Sequence, residues 1–323
     1  MAWTCSSSVN EVGEPWPIVM TSKSSENSEP IADPGEPRGH SFFEDLKTLT
    51  KLRLNVFVLI TAFFGYFLAR QGQSFEPWLM VHTLLGTAAA AFGAAVFNQL
   101  MEVEDDARMK RTADRPLPSR RMTVMKAFLI GWGLAAFGCI HLAAKVNASA
   151  AILAGITIAT YVFIYTPLKK FSGLNTLVGA VPGALPPLIG WVGAGGGLWA
   201  AGGWFLFWLL FFWQLPHFVA ISWLCRKEYE EAGYQMWSNG DRSGQKTVRL
   251  FHLFNACLVI STSVGAILGL YSWWAAVVLA VASFWKGMPV MKHAGERETM
   301  RSGFLRTLVY LPLALLVLAF SWR

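Results

Sequence analysis

Charge is what this sequence has least of. Asp, Glu, Lys and Arg supply 15% of its 323 residues, against 54% hydrophobic residues. That balance excludes an ordinary soluble domain, in which about a quarter of residues are charged. Cysteine is also scarce: Cys5, Cys139, Cys225 and Cys257 are scattered, with no CxxC pair and no CxxCH. A disulfide framework, a cysteine metal site and covalent haem attachment are therefore excluded. The net charge of +7 is not spread along one soluble face. Its cations gather in short loops between apolar runs, which argues for membrane topology and headgroup contact and against a nucleic-acid surface. No charged, apolar, small-residue succession of a cleavable signal peptide opens the chain, so the first apolar span is expected to act as its own uncleaved signal.

What is abundant is apolar sequence of bilayer length. Residues 1 to 45 are rich in Ser, Glu, Pro and Gly and are expected to form a disordered cytoplasmic tail, a plain tether, because they cannot bury enough surface to offset chain entropy. Residues 46 to 323 are expected to form one membrane domain. Its apolar runs lie near Leu54–Ala69, Trp78–Leu100, Val124–Ala144, Ala148–Ile164, Leu174–Gly196, Trp204–Leu224, Leu250–Leu270, Trp273–Val290 and Phe304–Phe320, which makes nine spanning helices. Lys and Arg alternate sides: they crowd before span one and after spans two, four, six and eight, and nearly vanish from the intervening loops. The amino terminus is thus expected in the cytoplasm and the carboxyl terminus outside. Span five, with GAVPGALPPLIGW from Gly179 to Trp191, is expected to be a kinked, inward-facing helix, since lipid tolerates such a segment only where neighbours satisfy the freed carbonyls.

The polar stretch after span two, NQLMEVEDDARMKRTADRPLPS from Asn98 to Ser119, is the most informative. Continued as a helix at 100° per residue, it places Asn98, Glu102 and Asp106 on one face, with Asp105 close to it and Glu104 pointing away. Oxygen ligands so placed suit Mg²⁺, which is usually held by one or two carboxylates together with substrate phosphates. Lys110, Arg111 and Arg115 follow as cations suited to a diphosphate. A loop that merely sets topology would explain the cations but not the acids.

Two further constellations lie on the same side. YTPLKK, Tyr165 to Lys170, ends span four and by itself reads as interface anchors. WQLPHFVAISWLCRKEYEEAGYQMW, Trp213 to Trp237, contains Pro216 and His217 inside span six and Glu228 and Tyr229 beyond it. By itself His217 reads as a packing residue and the acids as a solvated patch. His82, His141, His252 and Asn255 match no motif, and helix packing is the expectation for each.

The spacing Asn, three residues, acid, three residues, Asp resembles the first signature of the UbiA superfamily of membrane prenyltransferases. MKRTADRPL at Met109 to Leu117 and WQ-x-PHF at Trp213 to Phe218 are similar to its haem O synthase branch. The resemblance covers most of residues 45 to 320. Its departures are Glu102 and Glu228, where Asp is commoner, and GYQMW at Gly233 to Trp237.

The resemblance implies an all-helical bundle of nine spans around a central cavity, with the two acidic motifs facing each other at its cytoplasmic mouth. It implies transfer of a farnesyl group from farnesyl diphosphate to a vinyl group of haem B, with water addition, to give haem O. Mg²⁺ would be held by Asn98, Glu102, Asp106 and Glu228; diphosphate by Lys110, Arg111, Arg115 and Lys169; haem by Trp213 and His217. Asn98, Glu102, Asp106 and Arg115 would be catalytic. Membrane lipid, and haem A synthase or oxidase assembly proteins, are the further partners implied. Rival readings are a UbiA-type enzyme acting on an aromatic or quinone precursor, a non-catalytic transporter and a structural oxidase-assembly subunit.

Overall fold

The computed structural model describes residues 41–292 and 295–323, so the expected tail lies outside the described residues up to residue 40. Helical structure starts within its last residues. Ser41 caps α1 (Phe42–Leu49) in a capping box with Glu44, the reciprocal arrangement that satisfies two otherwise orphaned backbone donors.

Helices account for nearly all the rest. In order they are α2 (Leu52–Ala69), α3 (Pro77–Met101), α4 (Val103–Arg108), α5 (Val124–Lys145) and α6 (Ala148–Ala159). A π-helical turn, Thr160–Tyr165, leads from α6 into the short α7 (Thr166–Leu168). Then come α8 (Asn175–Gly193), α9 (Ala201–Leu224), α10 (Arg226–Glu231), α11 (Gln245–Ile267), α12 (Trp273–Lys292) and α13 (Arg297–Ser321). Among the described residues nine segments are long and apolar enough to cross a bilayer, matching the nine apolar runs. Spans seven and nine begin earlier than hydropathy indicates, at Gln245 and Arg297, because their polar first turns continue the helix out of the apolar zone.

α8 stands in the middle, against α2, α6 and α9. In its apolar window 72% of residues are buried, against 22% for α5, so the Pro- and Gly-rich span faces inward as its sequence requires. α5 instead lies along α3 at very short range. A Cβ built on Gly93 would fall 2.7 Å from the backbone nitrogen of Ala135, and one on Gly138 would fall 2.8 Å from the carbonyl oxygen of Gly86. Small residues let two helix backbones meet where no hydrophobic effect drives them together. Large apolar side chains such as Phe57, Ile140, Ile152, Phe163, Val281 and Phe320 are exposed, as a lipid-facing surface demands.

Candidate active site at the motif-bearing end

The polar loops converge at one end of the bundle. Lys169 reaches Glu102, Asn175 Nδ2 donates to the carbonyl of Gln235 at 2.6 Å, and Arg297 donates to the carbonyl of Leu224 at 3.1 Å. The first acidic stretch differs from the expected continuous helix. α3 ends at Met101, Glu102 leaves helical geometry with φ −107° and ψ 13°, and α4 resumes at Val103. The spacing nevertheless survives the break. Glu102 N donates to Asn98 O at 3.2 Å and Asp106 N to Glu102 O at 2.7 Å, so one turn still separates successive members.

Asn98, Glu102, Asp105 and Asp106 are all buried, none more than 5% exposed. Burying carboxylates is costly unless they are paired, and each here has its cation. Lys169 Nζ lies 2.6 Å from Glu102 Oε1, Arg115 2.6 Å from Asp106 Oδ2, and Lys170 2.8 Å from Asp105 Oδ2. Asn98 accepts from Lys51 Nζ at 2.5 Å and donates to Thr166 Oγ1 at 3.0 Å. Burial alone would raise the Glu102 pKa, but Lys169, Lys51 and Arg115 together hold it below the usual carboxylate range. For Asp106 burial outweighs Arg115 and the pKa is raised. Lys51, half-buried, is pushed down to about 7 by desolvation and by the charge of Arg115, despite Glu102. Lys169 is raised because Glu102 overcomes its burial.

Lys51, Thr166, Lys170 and Tyr234 are neighbours that sequence reasoning did not assign to the site. In sequence Lys51 is one of the cations that crowd before span one. Tyr234 is carried in by the loop after α10, whose Gln235 N donates to Lys169 O at 2.7 Å. The Lys169 ammonium lies 4.6 Å from the Tyr165 ring centre and 5.7 Å from that of Tyr234. The Tyr234 hydroxyl is buried and has no hydrogen-bond partner among the described residues. The only signal for it in sequence was the departure at GYQMW.

Arg111, in the loop that follows the first acidic motif, reaches the second. Its guanidinium donates to the Tyr229 hydroxyl at 3.3 Å and acts electrostatically on Glu228. Among the described residues no three His, Cys, Asp or Glu side chains stand close enough together to hold a metal. Glu228 is thus not brought into one cluster with Glu102 and Asp106. Lys110 is exposed and makes no ion pair among the described residues. Two buried carboxylates with an adjacent amide are still a donor set that fits Mg²⁺, whose remaining ligands are ordinarily water and substrate phosphate.

Trp213 and His217 share a face of α9 that meets α13. The Trp213 indole donates to Thr307 O at 2.7 Å, and His217 Nδ1 is 2.8 Å from Thr307 Oγ1. The imidazole stacks on Phe304 at 4.5 Å between centres. His217 is therefore placed inside the bundle, about 10 Å in from the end of α9 at 1.5 Å per residue.

The model of the UbiA prenyltransferase family matches residues 58–309. The chain belongs to the UbiA prenyltransferase family. Among its UbiA relatives, a protein named protoheme IX farnesyltransferase from Opitutus terrae is 40% identical over 283 residues, covering 86% of this chain and 95% of that one. Another of that name, from Solibacter usitatus, is 37% identical over 281 residues, 83% and 95% of the two chains. Solved structures share the UbiA fold at low identity. A digeranylgeranylglyceryl phosphate synthase structure aligns with TM-score 0.71 at 15% identity, over 86% of this chain and 97% of that one. A UbiA homologue from Archaeoglobus fulgidus bound to GPP and Mg²⁺ aligns with TM-score 0.61 at 14% identity, over 85% and 99%.

Proposed function

We propose that this chain is a protohaem IX farnesyltransferase that moves the farnesyl group of farnesyl diphosphate to a vinyl group of haem B and gives haem O. The observation that carries this reading is the buried, ion-paired face of Asn98, Glu102 and Asp106 with Lys51, Lys169 and Arg115 against it, in a chain that also carries WQLPHF. Relatives bearing that enzyme name over most of their length support the choice of acceptor.

In this reading Glu102 and Asp106, with Asn98, would hold Mg²⁺. Bound there, the ion would neutralise charge developing on the departing diphosphate. Lys169 and Arg115 turn from the carboxylates toward the diphosphate oxygens, where fixed cations stabilise the leaving group. The C1–O bond breaks with its electron pair on diphosphate, and the vinyl π-bond forms the new bond to C1. Water then adds to the porphyrin-side cation and loses a proton to solvent. The Tyr161, Tyr165 and Tyr234 rings beside Lys169 shield the allylic cation from early capture by water. Lys110 and Arg111, at the rim, attract the diphosphate before it is seated, and Glu228 positions Arg111.

The expected setting is a bacterial-type cytoplasmic membrane, with the amino terminus cytoplasmic, the carboxyl terminus outside, and haem A synthase or oxidase assembly proteins as downstream contacts. Incubating the purified protein with haem B, farnesyl diphosphate and Mg²⁺, then weighing the extracted haem, tests the reading. A mass gain of farnesyl plus water is expected. Unchanged haem, or prenylation of a quinone precursor instead, would overturn it.

A further inference from the structure

α12 carries a lysine where a membrane helix has least use for one. Lys286 is wholly buried, and its Nζ has no hydrogen-bond or ion-pair partner among the described residues. By helical rise it lies about 9 Å inside the end of α12 at Lys292, close to the depth of His217 on α9. The two are near enough for the Lys286 charge to act on the imidazole. The ammonium rests 4.5 Å from the centre of the Tyr310 ring. The hydroxyls of Tyr310 and Ser283 are neighbours, buried and without a bond of good geometry. Behind them Asn255 Nδ2 donates to Ser283 O at 3.0 Å while its Oδ1 is unpartnered.

An ammonium has three donors and no acceptor; one aromatic face satisfies only part of it. The surrounding helices offer no carboxylate. α9, α11 and α12 contain neither Asp nor Glu, and α13 has only Glu298, in its first turn. An ionisable residue inside a membrane bundle is retained for a partner or a pathway, and this one's counter-charge must come from outside the four helices. The site's chemistry narrows what that is. Polyphosphate at the bundle's end is met by several cations, whereas here one cation and two hydroxyls match a singly charged carboxylate. Trp213, His217 and Phe304, stacked in series, and the Tyr310 ring give the surroundings an aromatic character that suits a flat, apolar body attached to it.

We propose that Lys286, with the Tyr310 and Ser283 hydroxyls, receives a propionate carboxylate of the porphyrin substrate. The inference rests on the function proposed above. A porphyrin of the haem B type carries its propionates on the edge opposite its vinyl groups, so holding a propionate between α12 and α13 fixes the direction in which the reacting edge faces. Lys286 is then a positioning residue.

The test compares haem B with its dimethyl ester, which keeps the ring, iron and vinyl groups but has no carboxylate. Binding is followed by Soret absorbance in detergent for the parent protein, Lys286→Met and Lys286→Arg. The parent is expected to bind haem B about tenfold or more tightly than the ester, as a charge-assisted hydrogen bond allows. Lys286→Met should bind both forms alike, at the ester's affinity, and Lys286→Arg should keep the preference. A parent that does not discriminate overturns the inference, as does a Lys286→Met protein that still discriminates or that loses both ligands equally. If the Met variant is not monodisperse, Lys286→Gln replaces it, and the parent's own discrimination still decides. Oleate is the arm for a lipid carboxylate: oleate that displaces haem B from a parent blind to esterification assigns Lys286 to lipid instead. Haem O formation by the parent is scored separately. A parent that makes none refutes the proposed function, whereas one that makes haem O without sensing the ester refutes only the role of Lys286.

Discussion

Lys51 and Asn98, 47 positions apart, meet through an Nζ to Oδ1 contact of 2.5 Å. The amide is held from both sides, since its nitrogen donates to Thr166, and so its oxygen cannot turn away. Lys51→Met should lower haem O formation by roughly tenfold to a hundredfold, the worth of one charge-assisted hydrogen bond. Lys51→Arg should recover part of it. Turnover of the Met variant within twofold of the parent would remove Lys51 from the site.

Arg115 and Asp106 form a pair that substrate must reopen. Lys at position 115 keeps the charge but loses the planar fork that grips phosphate through two parallel bonds. Arg115→Lys is therefore expected to weaken farnesyl diphosphate binding about tenfold and to leave haem affinity unchanged. Titrations of the two substrates check this, and the opposite pattern would count against a diphosphate role.

Metal dependence follows from the donor set. Chelation with EDTA should stop turnover, and added Mg²⁺ should restore it. Asp106→Asn, which keeps the shape but removes the charge, should move the Mg²⁺ concentration for half-maximal rate upward by tenfold or more. An unmoved midpoint would place the ion elsewhere.

Asp241, buried in the loop before α11, accepts from Thr247 N at 2.8 Å and Thr247 Oγ1 at 2.7 Å. Burial would raise its pKa, but the Thr247 and Ser243 hydrogen bonds hold it below the usual carboxylate value. A depressed folded pKa gives stability that is present above the unfolded pKa of about 4 and is lost as pH falls through the folded value. Asp241→Asn should therefore cost about 1 kcal/mol near neutral pH, the difference between a charge-assisted and a neutral hydrogen bond. The gap in melting temperature between parent and variant should begin to narrow near pH 4 and close once pH is below the depressed folded pKa. A gap that persists there would show that packing, not charge, is responsible.

Topology can be checked directly. Reporter fusions after Ser119, Gly173 and Gly240 should all report cytoplasm, and a fusion at Arg323 should report the opposite side. A cytoplasmic carboxyl terminus would contradict an odd number of crossings.

The bundle was legible because hydropathy and cation alternation are both one-dimensional signals. Nine apolar runs give nine spanning segments among the described residues, and a Pro- and Gly-rich span that lipid would not tolerate turns out to be the innermost. Asn98, Glu102 and Asp106 were legible because backbone hydrogen bonding carries their spacing across the break at Glu102. What the sequence concealed was pairing. Lys51 resembles any juxtamembrane cation until folding sets it on Asn98, and Lys170 until it meets Asp105. Tyr234 lies in a loop whose sequence departs from the UbiA pattern, and that departure alone does not say which side chain the loop carries to the site. Lys286 sits in an apolar run whose mean hydropathy one charge hardly alters.

The glycine contacts between α3 and α5 bear on how the protein is made. These are consecutive spans, and the loop joining them carries the first acidic motif. A chain threaded into the membrane from its amino terminus can close this hairpin while later spans are still being synthesised, since domains and their parts form in that order. Lys169, the partner of Glu102, belongs to the segment after the next span and is not yet there. Arg115, the partner of Asp106, already is. The nascent hairpin thus carries one acid already neutralised within itself and two, Glu102 and Asp105, that wait for Lys169 and Lys170, so the arrival of the fourth span completes the charge balance.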